Sequence, residues 1–199
     1  MESIYGARYQ NLEEIMYFIL DEINKVREDT LANSDSDPIE HIIYRIKSEN
    51  SMIGKLKRKG LPLTAESATE SVYDAVGIRV VCAFLKDVYM ICDHLKCMDG
   101  CEVVEEKDYI KHAKENGYRS YHLILRVNDK GYAEIQLRTI SQDTWAALEH
   151  NIHYKKEKTE MEKLIAEELK RCADELASTD LSMQTIRDMI ENAERSIDQ

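Results

Sequence analysis

Residues 121–139 read YHLILRVNDKGYAEIQLRT, in which the runs YHLILRV (121–127) and YAEIQLRT (132–139) each alternate apolar and polar side chains and flank the turn-forming NDKG. Alternation with period two marks a half-buried strand, and Asn, Asp and Gly between two such runs signal a β-hairpin. Side chains on one face recur every second residue and opposed residues share a face, so the loop must hold an odd number of residues. A three-residue loop of Asp129, Lys130 and Gly131, with Gly131 left-handed, sets Arg126 opposite Glu134, Ile124 opposite Gln136 and His122 opposite Arg138. Leu123, Leu125, Val127, Ile135 and Leu137 then form an apolar face to bury. The other face carries His, Arg, Glu and Gln, which suits a ligand-binding sheet and equally an ordinary solvated one.

Upstream of the hairpin, AVGIRVVCAF (75–84) reads as a strand, LKDVYMICDHLKCM (85–98) as a helix and CEVVEEKDYI (101–110) as a strand entering a polar loop at 111–118, which together suggest a β-α-β core. Ile39 to Lys59 reads as one helix ended by Gly60 and Pro62. On a helical wheel Ile39, Ile42, Ile43, Ile46 and Ile53 share one face. Lys47, Ser51, Lys55 and Arg58 fall within roughly 80° of one another on the opposite face, with Arg45 at its margin. That stripe is either a solvated basic face or a rail for polyphosphate.

Helical spacing extends to both ends. Leu12, Ile15, Met16, Ile19, Leu20 and Ile23 predict a helix within 9–33, and Trp145, Leu148 and Ile152 one after Thr139, on which Glu149 and His153 lie one turn apart. Met161, Leu164, Ile165, Leu169, Cys172 and Leu176 predict a further helix. A last amphipathic segment is expected around Ile186, Met189 and Ile190; these helices either cap the core or pair with another subunit.

With 33% charged and 43% apolar residues and only seven Gly and two Pro, the chain of 199 residues reads as ordered and helix-rich. The net charge is −11, from 27 Lys and Arg against 38 Asp and Glu. Residues 1–37 and 156–199 supply the whole acidic excess, and 38–155 is balanced. A small anionic ligand therefore fits the middle of the chain, whereas DNA or bulk RNA does not fit the whole. Cys82, Cys92, Cys97, Cys101 and Cys172 form no CxxC pair, which suits a reducing cytoplasm, and no secretory or membrane-spanning segment is expected.

A GxxxxGK(S/T) loop is absent, since Gly54-Lys55 is followed by Leu56, and GxGxxG is absent too, so phosphates need side chains rather than a glycine loop. Three segments taken together resemble the RelA/SpoT-type (p)ppGpp synthetases, in particular the small synthetase-only members. They are YRIKSENSMIGKLKRKG (44–60), DAVGIRVVCAF (74–84), and KDYIKHAKENGYRSYH (107–122) leading into EIQLRTISQDTWAALEHNIHYK (134–155). The resemblance implies an α+β fold, a mixed sheet flanked by helices and related to the polymerase-β-like nucleotidyltransferases. It implies a synthetase core at 38–157, with an N-terminal helical extension at 1–37 and C-terminal helices at 158–199. Small members of the family form tetramers through terminal helices, and the C-terminal apolar stripe permits a homotetramer here.

The implied reaction moves pyrophosphate from ATP to the 3′-hydroxyl of GTP or GDP and releases AMP. By the same resemblance Arg45 and Arg79 sandwich adenine, and Lys47, Ser51, Lys55 and Arg58 grip the ATP phosphates. Asp74 binds Mg²⁺, and Glu134 completes the metal site or acts as the base for the 3′-hydroxyl. On the acceptor side Tyr118 stacks on guanine, Lys107 and Lys114 reach its 5′-phosphates, His122 and Gln136 hold the nucleotide, and Asp143 lies near the guanine edge. The segment His112-Ala113-Lys114 lacks a proline frequent in the family, which predicts a looser loop. The sequence has no His-Asp dipeptide of the kind that marks the family's hydrolase domain, and its length leaves no room for that domain or for ribosome-responsive ones, so synthesis without hydrolysis is expected. Two other classes compete: a catalytically silent sensor of guanine nucleotide or alarmone, which needs no Glu134, and an RNA-binding or scaffolding protein built on the terminal helices, which their acidity opposes.

Overall fold

The computed structural model describes residues 3–34, 36–152 and 160–197. After a short 3₁₀ turn at Gly6–Arg8, the chain runs α1 (Tyr9–Asn33), β1 (Ile39–Ile46), α2 (Glu49–Lys59), α3 (Ala65–Glu70), β2 (Val76–Cys82) and α4 (Leu85–Lys96). It continues with β3 (Cys101–Asp108), β4 (Tyr121–Val127), β5 (Gly131–Thr139), α5 (Ile140–Asn151) and α6 (Glu160–Ile197). The strands form one mixed sheet in the order β1-β2-β5-β4-β3. Only β2 and β5 are parallel neighbours; the other pairs are antiparallel.

The hairpin has the expected faces but a different register. Leu123, Leu125, Val127, Ile135 and Leu137 are buried in the core against α1 and α4. The turn falls at Asn128 and Asp129, both with positive φ, and the Lys130 N–H donates to the Val127 carbonyl at 2.9 Å. Asparagine and aspartate tolerate the left-handed region, so the chain reverses before Gly131. The pairing slides by two residues: Ile124 faces Glu134, His122 faces Gln136 and Arg126 faces Tyr132. A slip of two preserves parity, which is why the buried face is unchanged.

The expected single helix over Ile39–Lys59 is two elements. IEHIIYRI forms edge strand β1, paired antiparallel with β2, and α2 starts only at Glu49. The isoleucines fit helical spacing by coincidence, while their β-branching favours a strand. Ile43 shows the consequence, being 49% exposed instead of facing a helix core. The end of α2 matches the sequence, with Gly60 left-handed at φ 66° and its N–H on the last-turn carbonyls.

The supposed β-α-β unit also differs, because β2 and β3 are separated by β5 and β4, and α4 crosses between them on the apolar face. Thr139 begins α5 with a reciprocal capping box, its hydroxyl accepting from the Gln142 N–H while the Gln142 side chain accepts from the Thr139 N–H, each at 3.2 Å. On α5 only Trp145 of the expected stripe is buried, donating to the Leu169 carbonyl at 2.8 Å; Leu148 and Ile152 are exposed. His153 and the expected boundary at 157/158 lie outside the described residues.

The C-terminal segments are one helix of 38 residues, α6. Polar contacts seat it on the core: Thr139 Oγ1 donates to Asp180 at 2.6 Å, and Arg187 donates to both oxygens of Asp87 on α4 at 2.8 Å. Leu181, Met183, Ile186, Met189 and Ile190 remain exposed. Among the described residues no helix is long and apolar enough to cross a membrane, and all five cysteines are free.

Candidate active site

The polar face of the sheet is ordered by register. One row across the strands runs Ile43, Arg79, Gln136, His122 and Lys107, and the next runs Arg45, Gly77, Glu134, Ile124 and Glu105. Paired residues share a face, so four strands deliver Arg45, Arg79, Glu134, Gln136 and His122 to one surface. These strand residues, His122 apart, line a cleft together with Lys47, which follows β1, and Asp74, which precedes β2.

On the β1 side the charges are paired. Asp74 Oδ2 lies 2.6 Å from Lys55 Nζ and 3.2 Å from Lys47 Nζ. Lys47 belongs to the β1–α2 connection, so the two lysines meet through the tertiary fold and not along one helical stripe. Burial acts to raise the Asp74 carboxyl, and the two lysines outweigh it, holding its pKa below the usual value. Lys47 is itself fixed at both backbone atoms: its N–H donates to the Ala75 carbonyl at 2.8 Å and its carbonyl accepts from the Tyr5 hydroxyl at 2.6 Å. Ser51 and Arg58 lie on the exposed side of α2 and do not line the cleft; Ser51 Oγ is bonded to Ser48 Oγ at 2.9 Å.

On the β4–β5 side a chain of polar groups runs across the sheet. Glu134 Oε1 lies 3.4 Å from His122 Nδ1, His122 Nε2 is 2.9 Å from the Tyr118 hydroxyl, and Arg138 donates to that hydroxyl at 3.1 Å. One assignment satisfies every group: Arg138 N–H to Tyr118 oxygen, Tyr118 O–H to Nε2, and Nδ1–H toward Glu134. The His122 contact holds the Glu134 carboxyl below its ordinary pKa despite burial and Asp74, so it is ionised at neutral pH; burial pushes the Tyr118 phenol up. Arg138 also bonds Gln136 and reaches Asp143 at 3.5 Å, which in turn reaches Arg79 at 3.4 Å.

Asp143 therefore ties Arg79 to the Tyr118 network. Lys114 lies over the rings of Tyr109 and Tyr118, at 4.5 and 4.8 Å, whereas Lys107 is turned to Glu105 at 2.6 Å on the sheet edge.

The sequence reading missed Arg138, Tyr5 and Tyr109. Arg138 is 2% exposed; its alternation with Glu134 and Gln136 was the available signal, but its burial under α5 was not. Tyr5 reaches Lys47 across 42 positions, which no local pattern reports. Tyr109 packs edge-on against His122 and Tyr118.

Among the described residues the buried side-chain polar atoms without a hydrogen-bond partner are Asp74 Oδ1, Arg79 Nε and Arg138 Nε. Buried polar groups are normally satisfied, and all three of these belong to this site. An unused carboxylate oxygen can accept from or ligate a partner, and an unused guanidinium N–H can donate to an acceptor atom.

The fold and the cleft define a nucleotide-handling α+β protein that uses side chains in place of a phosphate loop. Residues 44–159 match the family described as the region found in RelA / SpoT proteins, and the chain belongs to that family. It is similar to GTP pyrophosphokinase YwaC of Bacillus subtilis, 42% identical over 145 residues that cover 69% of each chain. It also resembles the solved structure of small alarmone synthetase 1 from Bacillus subtilis bound to its product pppGpp, with a TM-score of 0.75 and 29% identity over 91% of this chain and 95% of that one. The same enzyme solved with AMPCPP matches at a TM-score of 0.67 and 28% identity, covering 93% and 94%.

Proposed function

We propose that this protein is a (p)ppGpp synthetase: it transfers the pyrophosphate of ATP to the 3′-hydroxyl of GTP or GDP and releases AMP. The observation that carries the reading is the set of three unsatisfied buried atoms: Asp74 Oδ1 and Arg79 Nε belong to residues that line the cleft with Lys47 and Glu134, and Arg138 Nε lies in the network beside it, while Lys55 reaches the site through Asp74.

In the transfer, the acceptor 3′-oxygen bonds to the ATP β-phosphorus, the bridging bond between the α- and β-phosphates breaks, and AMP departs with the bridging oxygen. Such chemistry asks the protein chiefly for position and charge neutralisation. Lys47 and Lys55 turn from Asp74 to the phosphates, and Arg45 and Arg79 hold the adenine. Glu134, ionised and within the cleft, takes the proton of the 3′-hydroxyl or lends its carboxylate to a metal. Tyr118, fixed by Arg138 and His122, stacks on guanine; Lys114 beside it meets the 5′-phosphates, and Lys107 must leave Glu105 to do so. Gln136 and His122 hold the acceptor, and Asp143 braces Arg79 and Arg138. Ser51 and Arg58 can serve only a part of the polyphosphate that extends past the cleft along α2.

Asp74 Oδ1 and Glu134 fit Mg²⁺, which takes one or two carboxylates and completes its shell with water and substrate phosphates. Among the described residues no group of three or more acidic, His or Cys side chains forms an all-protein cage, in keeping with an ion that arrives on a nucleotide. When bound it supplies charge neutralisation at the phosphates.

The test is to incubate the protein with ATP, Mg²⁺ and GDP or GTP beside a Glu134→Gln control and resolve the nucleotides. AMP equal to ppGpp or pppGpp, and absent from the control, is the expected result. Tight nucleotide binding with no AMP from either protein would transfer the assignment to a sensor. The missing His-Asp dipeptide supports synthesis alone, and Mn²⁺-dependent release of pyrophosphate from ppGpp would refute that. The exposed apolar stripe of α6 supports a homo-oligomer, such as a tetramer; Ile186→Asp with Met189→Asp should lower the mass seen by mass photometry. Free cysteines suit the cytoplasm.

A further inference from the structure

Gly77 stands in the middle of β2, where glycine weakens a strand and commonly marks a place that something approaches closely. The usual structural reasons for glycine do not apply to it. Its φ is not positive, unlike those of Gly6, Gly60, Gly100, Gly117 and Gly131. A Cβ added at Gly77 meets no atom within 4 Å. Neither the backbone nor the packing of this chain requires the side chain to be missing.

The open space lies inside the cleft. Gly77 pairs with Arg45 on one side and Glu134 on the other, and Arg79 follows two residues along on the same face, opposite Ile43. All four of those neighbours line the cleft with it. The gap is thus a patch of bare backbone fenced by two guanidiniums, a carboxylate and an exposed isoleucine. A flat ring with apolar faces suits these walls, because guanidinium planes stack on aromatic rings and Ile43 offers an apolar edge. Phosphate suits the spot less well, since Glu134 repels it while Lys47 lines another part of the cleft, with Lys55 beside it on Asp74.

We propose that Gly77 is a specificity-determining position for the donor nucleotide, its bare backbone forming the floor on which the purine base of ATP lies. The inference rests on the ATP reading above. Any side chain at 77 lifts the base off the sheet and out of the grip of Arg45 and Arg79.

The experiment measures binding of the non-transferable analogue AMPCPP, and separately of GDP, to the wild-type protein, Gly77→Ala and Gly77→Val, with a thermal melt of each. The expected result is AMPCPP binding weakened about tenfold in the alanine variant and more in the valine variant. GDP binding should stay within twofold and melting should be equal or higher, since both residues form strands better than glycine. Unchanged AMPCPP binding in both variants overturns the inference. So does a parallel loss of GDP binding and a lowered melt in the alanine variant, which would make Gly77 merely structural. AMP production by the wild-type protein is followed alongside: if AMPCPP binding falls as expected while the wild type makes no AMP, the floor stands and the catalytic reading fails. If the wild type does not bind AMPCPP, both fail.

Discussion

The two sides of the cleft are held in different ways. On the β1–α2 side, Lys47 and Lys55 rest on Asp74, opposite charges that have to separate before either can meet a substrate. On the β4–β5 side, Arg138, Tyr118, His122 and Glu134 form a connected chain of hydrogen-bond and close polar contacts that already points into the cleft. On the proposed reading, the donor-side lysines must turn away from Asp74, whereas the Arg138–Tyr118–His122–Glu134 chain of the acceptor side is set in advance and the rearrangement there falls to Lys107, which is held by Glu105. Substitutions should therefore divide by side.

The largest effect is expected at Glu134, where the sides meet. Glu134→Gln should lower AMP formation by about 10²–10⁴-fold if the carboxylate is the base, while both nucleotides still bind in calorimetry. Asp74→Asn should come next, with turnover down roughly 100-fold and a steeper Mg²⁺ requirement, as expected when a metal loses a carboxylate. The same variant tests the charge pairing through pH. The folded Asp74 carboxyl lies below its ordinary value of 3.8, so the stability it supplies is present above that pH and is lost as pH falls through the lowered value. The wild type should melt higher than Asp74→Asn at pH 7, and the gap should close in acid as Asp74 itself becomes neutral.

A substitution confined to the acceptor side sharpens the contrast. Arg138→Met keeps much of the volume of a buried side chain but leaves Tyr118, Gln136 and Asp143 without its guanidinium, so a lowered melt is expected and the kinetics are read below it. It should raise the KM for GDP or GTP about tenfold by freeing Tyr118, with a smaller change for ATP. The smallest effect belongs to Tyr5→Phe, which deletes one hydroxyl from the Lys47 carbonyl. Net worth of about 1 kcal/mol for such a bond predicts a several-fold rise in KM for ATP and none for the acceptor. Equal shifts for both substrates in either variant would abolish the distinction between the sides.

How much of this was legible depended on distance along the chain. Alternation in residues 121–139 fixed which side chains of the hairpin are buried, and parity protected that result from a loop placed one residue late, which slides the pairing by two. The segment 39–59 reads as one helix because five isoleucines satisfy helical spacing, of which the four at 39–46 are also good strand formers, and only pairing with β2 decides between the two. The helical wheel that groups Lys47, Ser51, Lys55 and Arg58 fails with that helix, and Lys47 and Lys55 meet instead on Asp74, a residue that the family pattern, indifferent to local secondary structure, names together with Arg45. Ser51 and Arg58, which share that wheel face and the family pattern, stay outside the cleft. Arg138 and Tyr5 escaped notice because burial beneath α5 and a bond spanning 42 positions are products of tertiary packing.

The lysine–aspartate–lysine cluster has a consequence for ionic strength. A cleft of bare cations would gather loose counterions from solution, and each arriving phosphate would have to displace them. Here the counterion of Lys47 and Lys55 is part of the chain, held at 2.6 and 3.2 Å, far inside the screening length of about 8 Å in physiological salt. In the proposed reaction, phosphate would take the place of a tethered carboxylate and leave Asp74 able to hold Mg²⁺, so these two lysines would release few loose counterions and would add little to the salt dependence of ATP binding.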